Sequence, residues 1–199
     1  LNNIDPILVV ISGPSGVGKD ALLNKMKAMN TEYEFVITTT TRKKRQDEIN
    51  GKDYLFISKI KFLEMIRKEE LLEWAQVYGN YYGVPLGQIR GFLKRGKDVI
   101  LKTDVQGAKT IRSKVPGALL VFLAPPTMDD LAHRLRYRMT ELQSDLGLRI
   151  ETAKQEMKDK EWFDYVVVNH NEMLDQTVTQ VMNLITKEKH KQLTRNIII

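Results

Sequence analysis

A short apolar strand pattern that runs into a glycine-rich loop limits the fold of this chain more than any other feature. Residues 6–12 have the sequence PILVVIS, and residues 13–19 have the sequence GPSGVGK. A continuous apolar, β-branched run of this length is typical of a strand buried on both faces of a parallel sheet. Beyond the loop, apolar residues recur at helical spacing as far as Met29. The sequence therefore predicts a strand, a tight loop and a helix in direct succession.

The loop matches the pattern G-x-x-x-x-G-K. Its glycines let the backbone fold tightly, so that successive N–H groups and the N-terminus of the helix face an anionic phosphate. The lysine of the pattern, Lys19, reaches the β- and γ-phosphate oxygens. We therefore predict a nucleoside triphosphate site, whose candidate loop residues are Gly13, Pro14, Ser15, Gly16, Val17, Gly18 and Lys19.

Two acidic residues are candidates for a magnesium site. Asp20 stands where this pattern usually has the serine or threonine that holds Mg²⁺, and carboxylate oxygens are also good magnesium ligands. The alternative is that Asp20 only stabilises the positive end of the helix. Asp104 ends a buried run at the sheet edge where α/β proteins bind ligands, and it is either a metal-serving acid or a helix cap. Both alternatives stay open at this point.

The rest of the chain alternates between strand and helix patterns. Buried-strand runs recur at 99–101, 119–123 and 165–168. Helical patterns lie at 86–95, 106–114, 128–138, 148–158 and 174–187. Strands that alternate with helices predict an α/β fold with a central, mostly parallel sheet. Short strands at 35–40, 54–57, 71–77 and 81–84, with one helix at 60–68, predict a mixed α+β lobe inserted into this core.

Composition excludes several classes of protein. The 199 residues include no cysteine, which excludes disulfides, Cys-ligated zinc, iron–sulfur clusters and thiol nucleophiles. No apolar run approaches the roughly 18–20 residues that a spanning helix needs. With a net charge of +6, the chain favours anionic partners, but charge alone does not choose among them. We predict a cytoplasmic location, with a plastid or other organelle, after removal of a transit peptide, as the alternative.

From residue 7 to about residue 187 the sequence resembles the guanylate kinases. The motifs that carry the resemblance, in order along the chain, are Ile11-Ser12 with the phosphate loop, Thr40-Thr41-Arg42-x-x-Arg45, Asn50-Gly51-Lys52-Asp53-Tyr54, Glu73-Trp74-Ala75 and Asn80-Tyr81-Tyr82-Gly83. The resemblance implies a P-loop nucleoside monophosphate kinase fold in a single domain over 1–199. Its expected parts are a core at 5–34, 98–126 and 160–190, a GMP-binding lobe at 35–97 and a helical lid at 127–159.

The resemblance also implies an acceptor site for GMP. The residues that it assigns there are Thr38, Arg42, Arg45, Tyr54, Glu73, Tyr82 and Asp104. The arginines and tyrosines would hold the phosphate, and Thr38 would bond the base edge. Glu73 would accept hydrogen bonds from guanine N1–H and the 2-amino group. Adenine lacks both donors and would leave the carboxylate unpaired, so this residue type suits guanine.

For the donor side, the resemblance implies lid arginines that close over the ATP phosphates. It assigns Arg134, Arg138 and Arg149 to this lid. Together with Lys19 and Arg42, these arginines are the residues that it implies to be catalytic. It also places Asn169 near the adenine. Mg²⁺ would bind together with ATP, and Asp20 and Asp104 are its candidate protein ligands. The reaction that the resemblance implies is transfer of the γ-phosphoryl group of ATP to GMP, giving ADP and GDP. It needs no general base, because the attacking phosphate oxygen of GMP is already anionic.

Two further positions depart from the family pattern. Val84 stands where most members have a serine or threonine that contacts the base, and Lys102 stands where many have an acid. We expect Lys102 either to contact the acceptor or to pair with a nearby carboxylate. The expected partners are ATP and GMP, with dGMP open, and no nucleic acid or membrane. Whether the chain is a monomer or a homo-oligomer is undecided. The rival interpretations are a phosphopeptide-binding module of the same fold and a nucleic-acid-binding protein.

Overall fold

The computed structural model describes residues 5–29, 32–77, 79–137 and 144–191, together with Ile197 and Ile199. In chain order its strands and helices are β1 (Leu8–Ser12), α1 (Lys19–Met29), β2 (Glu34–Phe35), β3 (Thr39–Thr40), β4 (Leu55–Phe56), α2 (Lys59–Arg67), β5 (Leu71–Val77), β6 (Asn80–Pro85), α3 (Leu86–Lys94), β7 (Val99–Lys102), α4 (Val105–Lys114), β8 (Leu119–Ala124), α5 (Met128–Tyr137), α6 (Ser144–Lys158), β9 (Tyr165–Val168) and α7 (Leu174–His190). None of the helices in these ranges has both the length and the apolar character needed to cross a membrane.

Five parallel strands form the larger sheet, in the spatial order β2-β7-β1-β8-β9. Side chains alternate across β1: Val9 and Ile11 pack with α1 and α7 on one face, and Leu8 and Val10 pack with α3 and α4 on the other. Both faces are therefore covered by helices, which is why the strand is apolar at every position. This arrangement confirms the predicted α/β fold with a central parallel sheet.

A smaller, mixed sheet has the order β4-β3-β6-β5. Its strands β3 and β4 are parallel, whereas β6 is antiparallel to both β3 and β5. The helix α2 follows β4, begins at a Ser58 cap and buries Phe62. This sheet and α2 form the predicted mixed α+β lobe.

One predicted strand is wrong. The segment 35–40 is divided between two sheets, because β2 pairs with β7 in the large sheet and β3 pairs with β4 and β6 in the small one. Between them, the side-chain amide of Gln88 on α3 takes the place of a neighbouring strand. Its Oε1 accepts from the N–H of Ile37 at 2.9 Å, and its Nε2 donates to the carbonyl of Ile37 at 3.0 Å. Local periodicity does not reveal such a distant partner, so the sequence showed one strand.

The other predicted elements are present with shifted ends. The predicted helix 148–158 begins earlier, at Ser144, and the helix predicted over 128–138 is described as far as Tyr137. Arg138 lies outside the described residues. Because all strands of the large sheet are parallel, the residues that follow β1, β7 and β9 meet at one edge. That edge holds the candidate site.

Candidate active site

The phosphate loop between β1 and α1 depends on glycine at its first position. Gly13 has a φ of +137°, and a Cβ at this position would lie 2.2 Å from the carbonyl oxygen of Leu123. Such a contact is far inside van der Waals distance, and the positive φ is itself unfavourable for other residues. Gly16 and Gly18 also have positive φ values. The predicted tight loop is therefore present, and its shape is set by the backbone.

Lys19 lies folded against this loop. Its Nζ donates hydrogen bonds to the carbonyl oxygens of Gly13 and Pro14, the second at 3.0 Å. Desolvation by the surrounding protein lowers the pKa of Lys19 below its ordinary value. Three nearby carboxylates oppose this shift and favour the charged ammonium, namely those of Glu156, Asp20 and Asp104. The loop thus holds a cation among acidic groups.

Two predicted donor-site residues support the loop through a single carbonyl oxygen. The carbonyl of Val17 accepts from Asn169 Nδ2 at 2.8 Å and from Arg134 Nη1 at 3.1 Å. Arg134 also donates to the carbonyl of Asn169 at 2.7 Å and to Asn171 Oδ1 at 2.7 Å. Asn169 follows β9 and Arg134 lies on α5, so the fold brings both to the loop. Their contacts with adenine and with the donor phosphates stay predictions. Asn171 was not selected from the sequence.

The helix α6 brings a carboxylate to the loop that the sequence analysis missed. Ser15 of the loop and Lys19 both act to lower the pKa of the Glu156 carboxyl group, and Glu156 Oε2 is buried with no hydrogen-bond partner. Burial raises the pKa of Glu156 to about 7, although Lys19 acts in the opposite direction. Arg149, a predicted lid residue, lies half-buried on the same helix two turns earlier. Because Glu156 lies two helical turns after Arg149, the two residues share a face of α6. This spacing is the sequence signal that could have identified Glu156.

Asp20 and Lys102 form an ion pair between α1 and the end of β7. Lys102 Nζ also lies 4.6 Å from the centre of the Tyr54 ring. Burial by itself would lower the pKa of Lys102, but Asp20 and Tyr54 together raise it above its ordinary value. Of the two expectations for Lys102, pairing with a carboxylate is the one that the structure confirms. The departures from the family pattern at positions 20 and 102 therefore compensate each other in charge.

Glu48 contacts the two predicted phosphate-binding arginines of the acceptor lobe. Arg42 Nη2 lies 2.6 Å from Glu48 Oε1, and the backbone N–H of Arg45 donates to Glu48 Oε2 at 2.8 Å. The guanidinium of Arg42 is 5.5 Å from the Tyr54 ring centre, and Tyr54 meets the ring of Tyr82 edge-on at 6.2 Å. Arg42, Tyr54 and Tyr82 thus form a connected group, and their phosphate-binding role stays a prediction. Glu48, which follows the basic run 42–45 by three residues, was missed.

Glu73 is a buried carboxylate at the start of β5, with 4% of its surface exposed. The pairing of β5 with β6 shifts by one residue between Leu71 and Glu73, and such a bulge redirects side chains. Burial raises the pKa of Glu73 to about 7, while the Thr103 hydroxyl, which donates to Glu73 Oε1 at 2.7 Å, opposes the rise. A Cβ at Gly107 would lie 2.8 Å from Glu73 Oε2. The pocket around this carboxylate is closely packed.

Thr38 lies on the crossing between the two sheets. Its hydroxyl oxygen is buried and has no hydrogen-bond partner. Buried polar groups in native proteins are nearly always satisfied, so the Thr38 hydroxyl has hydrogen-bonding capacity that the described protein atoms leave unused. Val84, which is fully buried, lies opposite Glu73 in β6 and has no hydroxyl to offer.

Asp104 follows β7 and caps α4. Its Oδ1 accepts from the N–H of Gly107 at 2.7 Å, which confirms the helix-cap interpretation. The same carboxylate also raises the pKa values of Glu73 and Glu156. Within the described ranges, no three acidic or histidine side chains cluster tightly enough to hold a metal ion by themselves. Asp104 therefore acts on the site at least through its charge.

The comparison with protein families gives a match over almost the whole chain. The sequence model of the family described as guanylate kinase matches residues 6–188. A relative from Oryza sativa subsp. japonica, named guanylate kinase 2, chloroplastic/mitochondrial, is 44% identical over 193 residues, which cover 96% of this chain and 68% of the relative. A guanylate kinase from Carboxydothermus hydrogenoformans is 40% identical over 185 residues, covering 93% of this chain and 90% of the relative.

The fold agrees with this match. The crystal structure of guanylate kinase from Anaplasma phagocytophilum superimposes with a TM-score of 0.77 at 29% identity, covering 95% of this chain and 88% of that one. Members of this family are nucleoside monophosphate kinases that transfer a phosphoryl group from ATP to GMP. The resemblance inferred from the motifs is thereby confirmed, and the chain belongs to the guanylate kinase family.

Proposed function

We propose that this chain transfers the γ-phosphoryl group of ATP to the phosphate of GMP, giving ADP and GDP, where β1 and β7 end. The observation that carries the proposal is the position of Lys102, whose ammonium contacts both Asp20 beside the phosphate loop and Tyr54 of the acceptor lobe. The two substrate regions are therefore one side chain apart. Direct in-line transfer requires such proximity, because the acceptor oxygen must reach the γ-phosphorus.

In this proposal the acceptor lobe binds the phosphate of GMP through Arg42, Arg45, Tyr54 and Tyr82. Two guanidinium groups and two phenols suit the geometry of a phosphate. The ion pair with Glu48 supports this role, because it orients Arg42 toward the ring of Tyr54. The attacking oxygen is already anionic, so the lobe needs to supply position and charge but no general base.

Glu73 and Thr38 recognise the guanine in this proposal. Glu73 is buried, and the Thr38 hydroxyl has no protein partner, so both have unused hydrogen-bonding capacity. Guanine offers N1–H and the 2-amino group to the carboxylate and an acceptor edge to the hydroxyl. Adenine would leave the carboxylate unpaired in a closely packed pocket, a mismatch that sites of this kind reject strongly.

The phosphate loop, Lys19 and the lid bind ATP in this proposal. Loop N–H groups and Lys19 take the β- and γ-phosphates. Arg134 is already bonded to the loop through Val17, so it acts near the phosphates rather than from a distance, and Arg149 reaches them from α6. Arg138 keeps its proposed role in the lid, although it lies outside the described residues. Asn169 supports the loop and borders the adenine.

Magnesium fits the donor set of this site only together with a nucleotide. Asp20 offers hard carboxylate oxygens one residue after Lys19, but its carboxylate is held by Lys102, and Asp104 is engaged as a helix cap. Mg²⁺ commonly binds through one or two carboxylates plus substrate phosphates, and it would supply charge neutralisation on the transferring group. Asp20 is the residue that would hold it, with Asp104 acting through its charge.

The proposed division of the chain keeps a core at 5–34, 98–126 and 160–190, an acceptor lobe at 35–97 and a lid at 127–159. The packing suggests two refinements. Phe35 pairs with β7 in the core sheet, and Ile89 of α3 packs against that sheet as well. The part of the lobe outside the core sheet is therefore the mixed sheet and α2. An organellar location is supported by the name of the rice relative, and imaging of the tagged full-length gene product tests it.

The reaction is tested by coupled measurement of ADP release with GMP, dGMP, AMP, CMP and UMP, each with saturating ATP and Mg²⁺. We expect turnover with GMP and rates with AMP, CMP and UMP at least about 10³-fold lower in kcat/KM. Lys19→Ala should lower kcat by about 10²-fold or more, because it removes a cation from the transferring phosphoryl group. A wild-type protein that binds GMP but releases no ADP would instead support the binding-module interpretation.

A further inference from the structure

Lys102 lies where the core sheet and the acceptor lobe meet. It is the last residue of β7, and the alternation of side chains along a strand places it on the same face of the sheet as Ile100, the face that α1 covers. Ile100 is fully buried there, whereas Lys102 is half-buried. A charge that leaves water is costly unless it is paired. The groups around Lys102 must therefore compensate its charge.

The ammonium of Lys102 contacts groups of both regions. It forms an ion pair with Asp20 of α1, and its Nζ lies 4.6 Å from the centre of the Tyr54 ring. The guanidinium of Arg42 lies 5.5 Å from the centre of the same ring. Two cations thus lie beside one predicted ligand of the acceptor phosphate. Lys102 therefore belongs to the same cationic cluster as Arg42, although it comes from the core sheet.

Each of these two cations is paired with a carboxylate, but the two pairs differ in exposure. The Glu48 side chain, which holds Arg42, is 13% exposed, whereas the Asp20 side chain is 45% exposed. Ion pairs that are open to water contribute little, so the pair of Lys102 with Asp20 is the weaker one. A phosphate monoester carries about 1.5–2 negative charges near neutral pH, against one for a carboxylate. Because a lysine stem is flexible, Lys102 can exchange Asp20 for a phosphate at little cost.

Resting on the proposed acceptor site, we infer that Lys102 is a further ligand of the GMP phosphate, and that its ammonium turns from Asp20 to a phosphate oxygen when GMP binds. No covalent bond forms or breaks in this exchange. Because Asp20 adjoins the phosphate loop, Lys102 approaches the acceptor phosphate from the donor side. A cation at this position lowers the repulsion between the two phosphates that meet during transfer.

The test is calorimetric titration of GMP, and separately of guanosine, into the full chain without ATP or metal. Guanosine has the base and ribose of GMP but no phosphate, so it reports recognition of the nucleoside alone. We expect Lys102→Met to weaken GMP binding about tenfold, because a charge-assisted hydrogen bond to the phosphate is lost. Guanosine binding should be unchanged. Lys102→Arg keeps the charge and should retain most of the affinity for GMP.

Lys59→Met is the matched control. Lys59 is an exposed lysine of the acceptor lobe, and its Nζ lies 5.7 Å from the centre of the Tyr81 ring. Tyr81 and Tyr82 are neighbours in β6, so their side chains point to opposite faces of the mixed sheet. The control therefore removes a lysine beside a tyrosine ring on the face away from Tyr82. It should bind GMP as the wild type does.

A double variant separates a ligand of GMP from a mere counter-charge for Asp20. Asp20→Asn removes the carboxylate that competes for the ammonium, so this single variant should bind GMP about threefold more tightly than the wild type. Adding Lys102→Met to Asp20→Asn should then weaken GMP binding about tenfold. If Lys102 only neutralised Asp20, the double variant would bind GMP as tightly as Asp20→Asn, and the inference would be overturned.

Other outcomes distinguish a failure of this role from a failure of the acceptor site. Equal GMP affinity of the wild type and Lys102→Met, or equal weakening of GMP and guanosine binding, would overturn the role of Lys102 and leave the acceptor site standing. A wild type that does not bind GMP would refute the acceptor site, and the role of Lys102 with it. Thermal unfolding checks that each variant is folded, and Lys102→Gln replaces Lys102→Met if the latter is not.

Discussion

The two regions that we propose to bind phosphate, the donor loop and the acceptor lobe, are built from different parts of the chain's chemistry. The donor loop relies on the backbone, with three glycines at positive φ, a loop form in which successive N–H groups can bind an anion. The acceptor lobe uses side chains that are held by other side chains, as in the pairs Arg42–Glu48 and Glu73–Thr103. The first region therefore depends on backbone conformation, whereas the second depends on charge and hydrogen bonding. Substitutions should break them in different ways.

This difference separates stability from activity. A side chain added at Gly13 of the donor loop strikes the backbone of Leu123 in β8, so its cost falls on the fold. A charge removed from the acceptor lobe leaves the packing in place, so its cost falls on substrate binding. Each region also holds a buried carboxylate that affects stability. Burial raises the pKa values of Glu73 and Glu156 to about 7, so ionisation of either group at alkaline pH weakens the fold.

The largest expected effect is that of Gly13→Ala on the donor loop. The new Cβ would lie 2.2 Å from the Leu123 carbonyl oxygen of β8, at a φ that alanine avoids. We expect a loss of about 3 kcal/mol or more in the free energy of unfolding, measured by urea denaturation. Gly87→Ala is the matched control, since nothing lies within 4 Å of its Cβ position on α3. The control should be neutral or stabilising by up to about 1 kcal/mol. Equal stability of both variants would refute the contrast.

Glu73→Gln should move activity and stability in opposite directions. A glutamine keeps the shape but offers guanine one acceptor oxygen instead of two, so we expect kcat/KM for GMP to fall about 10²-fold. The raised pKa of Glu73 means that its contribution to stability is present at acidic pH and is lost as pH rises through about 7. The variant should therefore be more stable than the wild type by about 1–3 kcal/mol at pH 8, and not at pH 5.

Thermal unfolding at the two pH values, together with steady-state kinetics, measures both parts of this prediction. Glu64→Gln on α2 is the control, because its carboxylate is exposed and pairs with Lys61 and Lys68 on the surface. It should leave the kinetics unchanged and give no stabilisation at pH 8. A Glu73→Gln variant that kept its preference for GMP over AMP would show that the base is recognised elsewhere.

The same contrast explains what the sequence could predict. The donor loop is a contiguous pattern between a buried strand and a helix, so residues 13–19 and the parallel sheet could be identified from local order. The supporting contacts come from far along the chain. Gln88 replaces a strand partner for Ile37, and Glu48 holds Arg42, and neither pair has a fixed spacing. Side-chain partners of this kind follow from the tertiary fold.

Glu48→Gln should act on the acceptor lobe more weakly than the change at Glu73. It removes the charge that holds the Arg42 guanidinium and weakens the bond from the Arg45 N–H. The arginines then lose orientation while keeping their charge, so we expect KM for GMP to rise about tenfold with kcat and KM for ATP little changed. Asp47→Asn, an exposed neighbour, should behave as the wild type. A lower KM for GMP would mean that Glu48 mainly repels the substrate phosphate.

The smallest effect is expected where the two regions meet, at Asp20 and Lys102. The pair is partly open to solvent, with 45% of the Asp20 side chain exposed, so its coupling should be only about 0.5–1 kcal/mol. Asp20→Ser and Lys102→Met each leave one charge beside the phosphates without its partner, whereas the double variant leaves neither. In a double-mutant cycle on kcat/KM for GMP, the double variant should therefore lose less than the sum of the single losses. Additive losses would mean that Asp20 and Lys102 act on their substrates independently, and that the donor and acceptor regions are adjacent without being coupled.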